Sequence, residues 1–91
     1  MSEIKKKAWP ELFEKVLSGK KNFDLRLADF DVKEGDILVF EEWNPETKKY
    51  TGRKINKKVG FVLKTKDMKF WNEDDISKYG FVAISLKDVH N

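Results

Sequence analysis

Apolar residues along this chain follow one helical rhythm and several strand-like alternations. Trp9, Leu12, Phe13, Val16 and Leu17 recur at spacings of three and four, the stripe of an amphipathic helix lying on a core. Pro10 suits the first turn, Glu11 complements the positive end of the helix dipole, and Gly19 follows as a left-handed stop, which predicts a helix over 10–18. Residues 3–8 read as a short polar strand or arm carrying Lys5, Lys6 and Lys7. Residues 23–27 alternate, with Phe23, Leu25 and Leu27 assigned to the core face and Asp24 and Arg26 to the opposite face.

Gly35-Asp36 is a turn pair, and 36–43 is a central strand built on Ile37-Leu38-Val39-Phe40. Asn44-Pro45-Glu46-Thr47 breaks the pattern, and it resumes over 50–65 with Val59, Phe61 and Leu63 placed on one face, so these two strands form a hairpin. In the irregular stretch 66–80, Asn72 caps a short helix with Glu73, Asp74 and Asp75 in its first turn. An apolar strand over 81–86 closes the chain. Five strands without strand-helix-strand alternation predict an α+β fold: a small mixed, mainly antiparallel β-barrel with one main helix and a second short one.

Ninety-one residues form a single domain, 1–91, with room for one core, so any site is a surface cleft or a barrel mouth. No run of about 18 apolar residues is present and no leader pattern, which predicts a cytoplasmic protein with no membrane partner. Without Cys, and with His90 as the one His, neither a disulfide framework nor a metal centre is expected, and no cofactor is called for. The net charge of +3 is a small excess in a chain that is 38% charged, so it permits an anionic partner without requiring one.

Charge is organised at one place, Gly19-Lys20-Lys21-Asn22-Phe23-Asp24-Leu25-Arg26, which sets the carboxylate of Asp24 between two cations, Lys21 and Arg26. The pattern resembles the signature G-x-K-x-x-E-x-R of ASCH domains, small β-barrels related to the PUA RNA-binding fold, with Asp24 where that family usually has Glu. The run Glu42-Trp43-Asn44-Pro45-Glu46-Thr47-Lys48-Lys49-Tyr50-Thr51-Gly52-Arg53 is similar to the E-W-[DN]-P-x-T-x-x-Y-T-G-R segment of a compact ASCH-related subfamily found in phages, bacteria and archaea. With 32–38 and the closing strand, the resemblance spans nearly the whole chain, and it implies a PUA-like barrel.

Two sites follow. At Lys21, Asp24 and Arg26 one cation is free to meet a phosphate or a base carbonyl, whereas the plainer alternative is an exposed ion pair worth about 0–1 kcal/mol. The window 48–58 holds six cations and no acid: Lys48, Lys49, Arg53, Lys54, Lys57 and Lys58. Such a ribbon can track a phosphate backbone while Tyr50 or Trp43 stacks on a base, or it can be a solvated hairpin in which these two rings pack across the strands. Phe70, Trp71 and Tyr79 serve as a lid or, more simply, as a plug for the barrel end. His90 reads as a tail residue.

The leading expectation is a monomeric module that binds RNA or a nucleoside-like ligand. The alternative is a small amidohydrolase. Some ASCH proteins remove the acetyl group of N4-acetylcytidine, using a Lys of this signature, a Thr at the position of Asp24 and a more distant Glu. Here Lys21 is retained and the hydroxyl nucleophile is absent, so Asp24 would have to orient a water as general base and Lys21 to stabilise the oxyanion. Glu41, Glu42 and Glu73 are candidates for the third group. A third reading is a hairpin that meets an acidic protein partner.

Seventeen of the 19 basic residues are Lys, and Gln and Cys are both absent, the bias reported for hyperthermophile proteins. The expected melting midpoint lies above the mesophile range of about 45–65 °C. A calorimetric midpoint inside that range removes the inference.

Overall fold

A computed structural model describes residues 2–68 and 72–89, without the side chains of Asp75 and Ile76. The expectations placed on Phe70, Trp71 and His90 lie outside the described residues. The elements are β1 (Glu3–Ala8), α1 (Pro10–Leu17), β2 (Phe23–Leu27), β3 (Ile37–Asn44), β4 (Lys49–Lys64), a 3-10 turn (Thr65–Asp67), α2 (Glu73–Ile76) and β5 (Phe81–Lys87). The five strands form one sheet in the order β1-β3-β4-β5-β2, curled into a half-barrel. β1 runs parallel to β3 and every other pairing is antiparallel.

Local chemistry explains most of the boundaries. Trp9 is the extended residue before α1, Pro10 occupies the first turn, and Gly19 at φ +85° turns the chain out of the helix. The Asp36 carboxylate accepts backbone N–H groups from Ser2 at 3.0 Å and Lys33 at 2.9 Å, which pins the start of β1 beside the turn into β3. Those two donors hold its carboxyl below the usual range. Asn72 caps α2 by accepting the Asp74 N–H at 2.7 Å.

The core is Phe13 and Val16 of α1 packed on Leu38, Phe40, Val59, Val82 and Ile84 of the concave sheet face. Two expected faces are corrected by register. Asp24 pairs with Ile84 and Arg26 with Val82, and both β5 residues are fully buried. Directly paired residues share a face, so Asp24 and Arg26 turn inward while Phe23, Leu25 and Leu27 face out. On β4 the register shifts between Val59 and Val62, so these two face the core whereas Phe61 and Leu63 are exposed. Gly60 makes this bulge feasible, because a Cβ there would lie 2.5 Å from Ser85 Oγ, the atom that accepts the Phe61 N–H at 2.7 Å.

The helical stripe also divides. Phe13 and Val16 are buried, but Trp9, Leu12 and Leu17 remain half-exposed. A two-turn helix crossing a narrow curled sheet covers it with one row of side chains and leaves the flanking rows open.

Phe40 is the central aromatic of this core, and Phe40→Ala is expected to cost about 3–5 kcal/mol. That is a large part of the roughly 5–14 kcal/mol available to a domain of this length. Urea unfolding should show the midpoint falling at unchanged slope; a loss under about 1 kcal/mol contradicts this packing.

Candidate functional site

Alternation along β2 sends Asp24 and Arg26 into the concave face, and the connection from α1 brings Lys21 to the same place. Its backbone N–H donates to Lys15 O at 2.9 Å, which fixes the approach. Asp24 is only 2% exposed, so its charge requires partners. The Arg26 guanidinium grips it with two hydrogen bonds, Nε to Oδ2 and Nη2 to Oδ1, the second at 2.9 Å. Lys21 Nζ lies 3.5 Å from Oδ1 and donates to Phe23 O at 2.8 Å.

These groups border a recess of about 240 Å³. Its apolar wall is Ala8, Val16 and Phe40, its lip is Trp9 and Leu12, and Lys7 adds a third cation. With one carboxylate against three cations the recess is electropositive. A guanidinium has five N–H donors, and two of those on Arg26 are taken by Asp24, leaving three without a protein acceptor among the described residues. The recess therefore offers hydrogen-bond donors beside an exposed indole.

Sequence reasoning identified Lys21, Asp24 and Arg26, and the structure brings them together. It missed Lys7, Trp9 and Leu12. Pro10 carried a usable signal for Trp9: the residue before proline is extended, so Trp9 stands outside the helical stripe.

The second motif builds a clasp rather than a continuous basic track. Glu42 sits at a bulge between Glu41 and Trp43 and is buried. It accepts Thr51 Oγ1–H at 2.6 Å, Arg53 Nε–H at 2.9 Å and Arg53 Nη2–H at 3.0 Å. Arg53 Nη2 also donates to Glu14 on α1, and its guanidinium lies 4.8 Å from the Phe13 ring centre. The hairpin is thus tied to the helix that roofs the core. Arg53 holds the Glu42 carboxyl far down, from an ordinary 4.5 to about 2, with help from Thr51 and against the effect of burial. Glu42 and Glu14 in turn hold Arg53 more firmly in its charged form.

The remaining hairpin cations are dispersed. Lys57 pairs with Asp88 at 2.9 Å and Lys54 with Glu41 at 3.8 Å. Lys57 shares the face of Leu38, while Lys58 lies opposite Ile37 on the other face. Lys48, Lys49 and Lys58 form no ion pair among the described residues, and Lys48 takes φ +59° at the hairpin turn. Trp43 pairs across the strands with Tyr50, and Lys7 Nζ lies 4.3 Å from the Trp43 ring centre. Lys7 thereby links the recess to the turn end of the hairpin.

An α+β half-barrel with a charged recess beside its helix is the class these features define. Over residues 4–76 the chain matches a family described as a domain of unknown function, DUF3850, and it belongs to that family. It is 36% identical over 62 residues to an uncharacterized 12.9 kDa protein in the GpA 3′ region of Escherichia phage P2. That alignment covers 68% of this chain and 52% of the phage protein, so the chain spans about half the length of the curated relative it matches. Among solved structures, the crystal structure of hypothetical protein PH0355 has the same fold, with a TM-score of 0.64 at 24% identity over 98% of this chain and 100% of that one.

The clasp sets an acid limit. Because the Glu42 carboxyl is depressed in the fold, its contribution is complete above pH about 4.5 and fades as the pH falls toward about 2. Glu42→Gln should lower stability by about 2 kcal/mol at neutral pH, through lost charge-assisted hydrogen bonds. It should also flatten the loss of melting temperature between those two pH values. An unchanged acid profile in the variant contradicts this role.

Proposed function

We propose that this protein is an RNA-binding module of the ASCH/PUA-like kind, which receives one unpaired base in the recess beside Asp24. The observation that carries this reading is the unsatisfied donor set of Arg26 in an electropositive hollow with Trp9 at its lip. A base offers a π-face to the indole and carbonyl acceptors to the guanidinium, and the adjoining phosphate finds Lys7 and Lys21. The recess, about 240 Å³, lies below the roughly 300–1,000 Å³ of pockets that enclose drug-sized ligands, which suits a single base. Beyond it, Lys7, Trp43 and Tyr50 lead toward Lys48 and Lys49, a route for the flanking backbone.

The resemblance of the Gly19–Arg26 signature to ASCH domains supports the same reading. Deacylation of a modified nucleoside draws less from the geometry. Both Asp24 oxygens accept hydrogen bonds from Arg26. Glu42 is held by Thr51 and Arg53, and Glu41 pairs with Lys54. Neither of these, nor Glu73, lines the recess.

Anisotropy titration with labelled single-stranded and structured RNA tests the proposal. Affinity should fall steeply with salt, and Trp9→Ala should weaken binding by about 1–3 kcal/mol without altering the salt slope. Lys49→Ala should reduce that slope by about 1. Absence of salt-dependent binding at low ionic strength, or a Trp9→Ala variant that binds as the parent does, overturns it.

A further inference from the structure

The convex face of the sheet carries an apolar surface that the recess does not use. Phe23, Leu25 and Leu27 of β2, Phe81 of β5, and Phe61 and Leu63 of β4 are each between 39 and 65% exposed. Register makes them one patch: Leu27 lies opposite Phe81, and Leu25 and Leu63 flank Ala83 from either side. Ser85, opposite Phe23, continues the face, and the paired Lys87 and Lys58 border it. None of the positions within that border is ionisable, in a chain that is 38% charged. β2 is also an edge strand, where exposed apolar side chains invite uncontrolled association unless they are covered.

We propose that this face binds a second copy of the chain, convex sheet against convex sheet. A fully exposed side chain of this size presents roughly 200 Å², so six at about half exposure offer roughly 600 Å². That is the upper end of what isolated monomers show. Complete burial of the patch on both copies would remove roughly 1,200 Å² from water, the lower bound for a specific, stable interface. Self-association across a two-fold axis suits the chemistry, because the partner supplies the same uncharged surface. Cations stand only at its margins, Lys21 with Nζ 5.2 Å from the Phe23 ring centre and the Lys58–Lys87 pair beyond Ser85, so the apolar side chains themselves meet another apolar surface. Packed sheets interdigitate such side chains at a separation of about 10 Å. The recess opens on the opposite, concave side, so both copies keep it accessible.

Light scattering and sedimentation equilibrium on the full chain, from about 1 to about 500 µM, read the outcome in the micromolar range. The expected mass is twice the 10.7 kDa of one chain. Leu25→Glu combined with Phe61→Glu should return it to the single-chain value with the far-ultraviolet spectrum unchanged. A parent protein at single-chain mass throughout overturns the proposal, as does a folded double variant that stays doubled. Should the variant fail to fold, dilution of the parent followed by amide chemical shifts decides. Changes confined to β2, β5 and 61–64 support the interface, and changes confined elsewhere refute it.

Discussion

A carboxylate at position 24 is turned into the concave side of a curled sheet, and the groups around it are placed to partner it there. Isolated, such a group would be strongly unfavourable; gripped by Arg26 and approached by Lys21, it is tolerated. The pairing needs both partners on one face, which the two-residue spacing of Asp24 and Arg26 provides. Lys21 must arrive from outside the strand, and the short connection after α1 delivers it. The same geometry turns Phe23, Leu25 and Leu27 toward the outside. The register that turns Asp24 inward therefore places the recess on one side of β2 and its three apolar side chains on the other.

A second buried carboxylate plays a different part. Glu42 sits where the β3–β4 pairing is interrupted, and Arg53 uses it as an anchor while reaching Glu14 on α1. Helix, hairpin and the Phe13 ring are joined through one guanidinium. This explains why the long second motif combines Glu, Thr and Arg at those spacings: the hairpin turn folds Thr51 and Arg53 back over Glu42. The two charge patterns thus differ, the first leaving donors without a protein acceptor among the described residues and the second closing its donors on the protein itself.

The two surfaces have opposite character because they solve different problems. The concave recess is small, positively charged and lipped by an indole. The convex patch is broad and apolar. Their placement on opposite sides of one sheet keeps the recess turned away from the patch.

Local chemistry alone determined the elements of this protein: the proline-started helix, the Asn72 cap, the broken run at 44–47, the five strands and the cluster of Lys21, Asp24 and Arg26. Those signals act over a few residues and need nothing from the rest of the chain. Alternation, however, specifies two faces without saying which one is buried. That choice for β2 came from its register with Val82 and Ile84, and for β4 from the bulge at Gly60. Trp9 at the recess and Glu14 beside Arg53 were likewise settled only when distant segments met. A side chain's surroundings are set by strands and helices far away in sequence, and the free energy of burying a charge depends on which partners those elements bring.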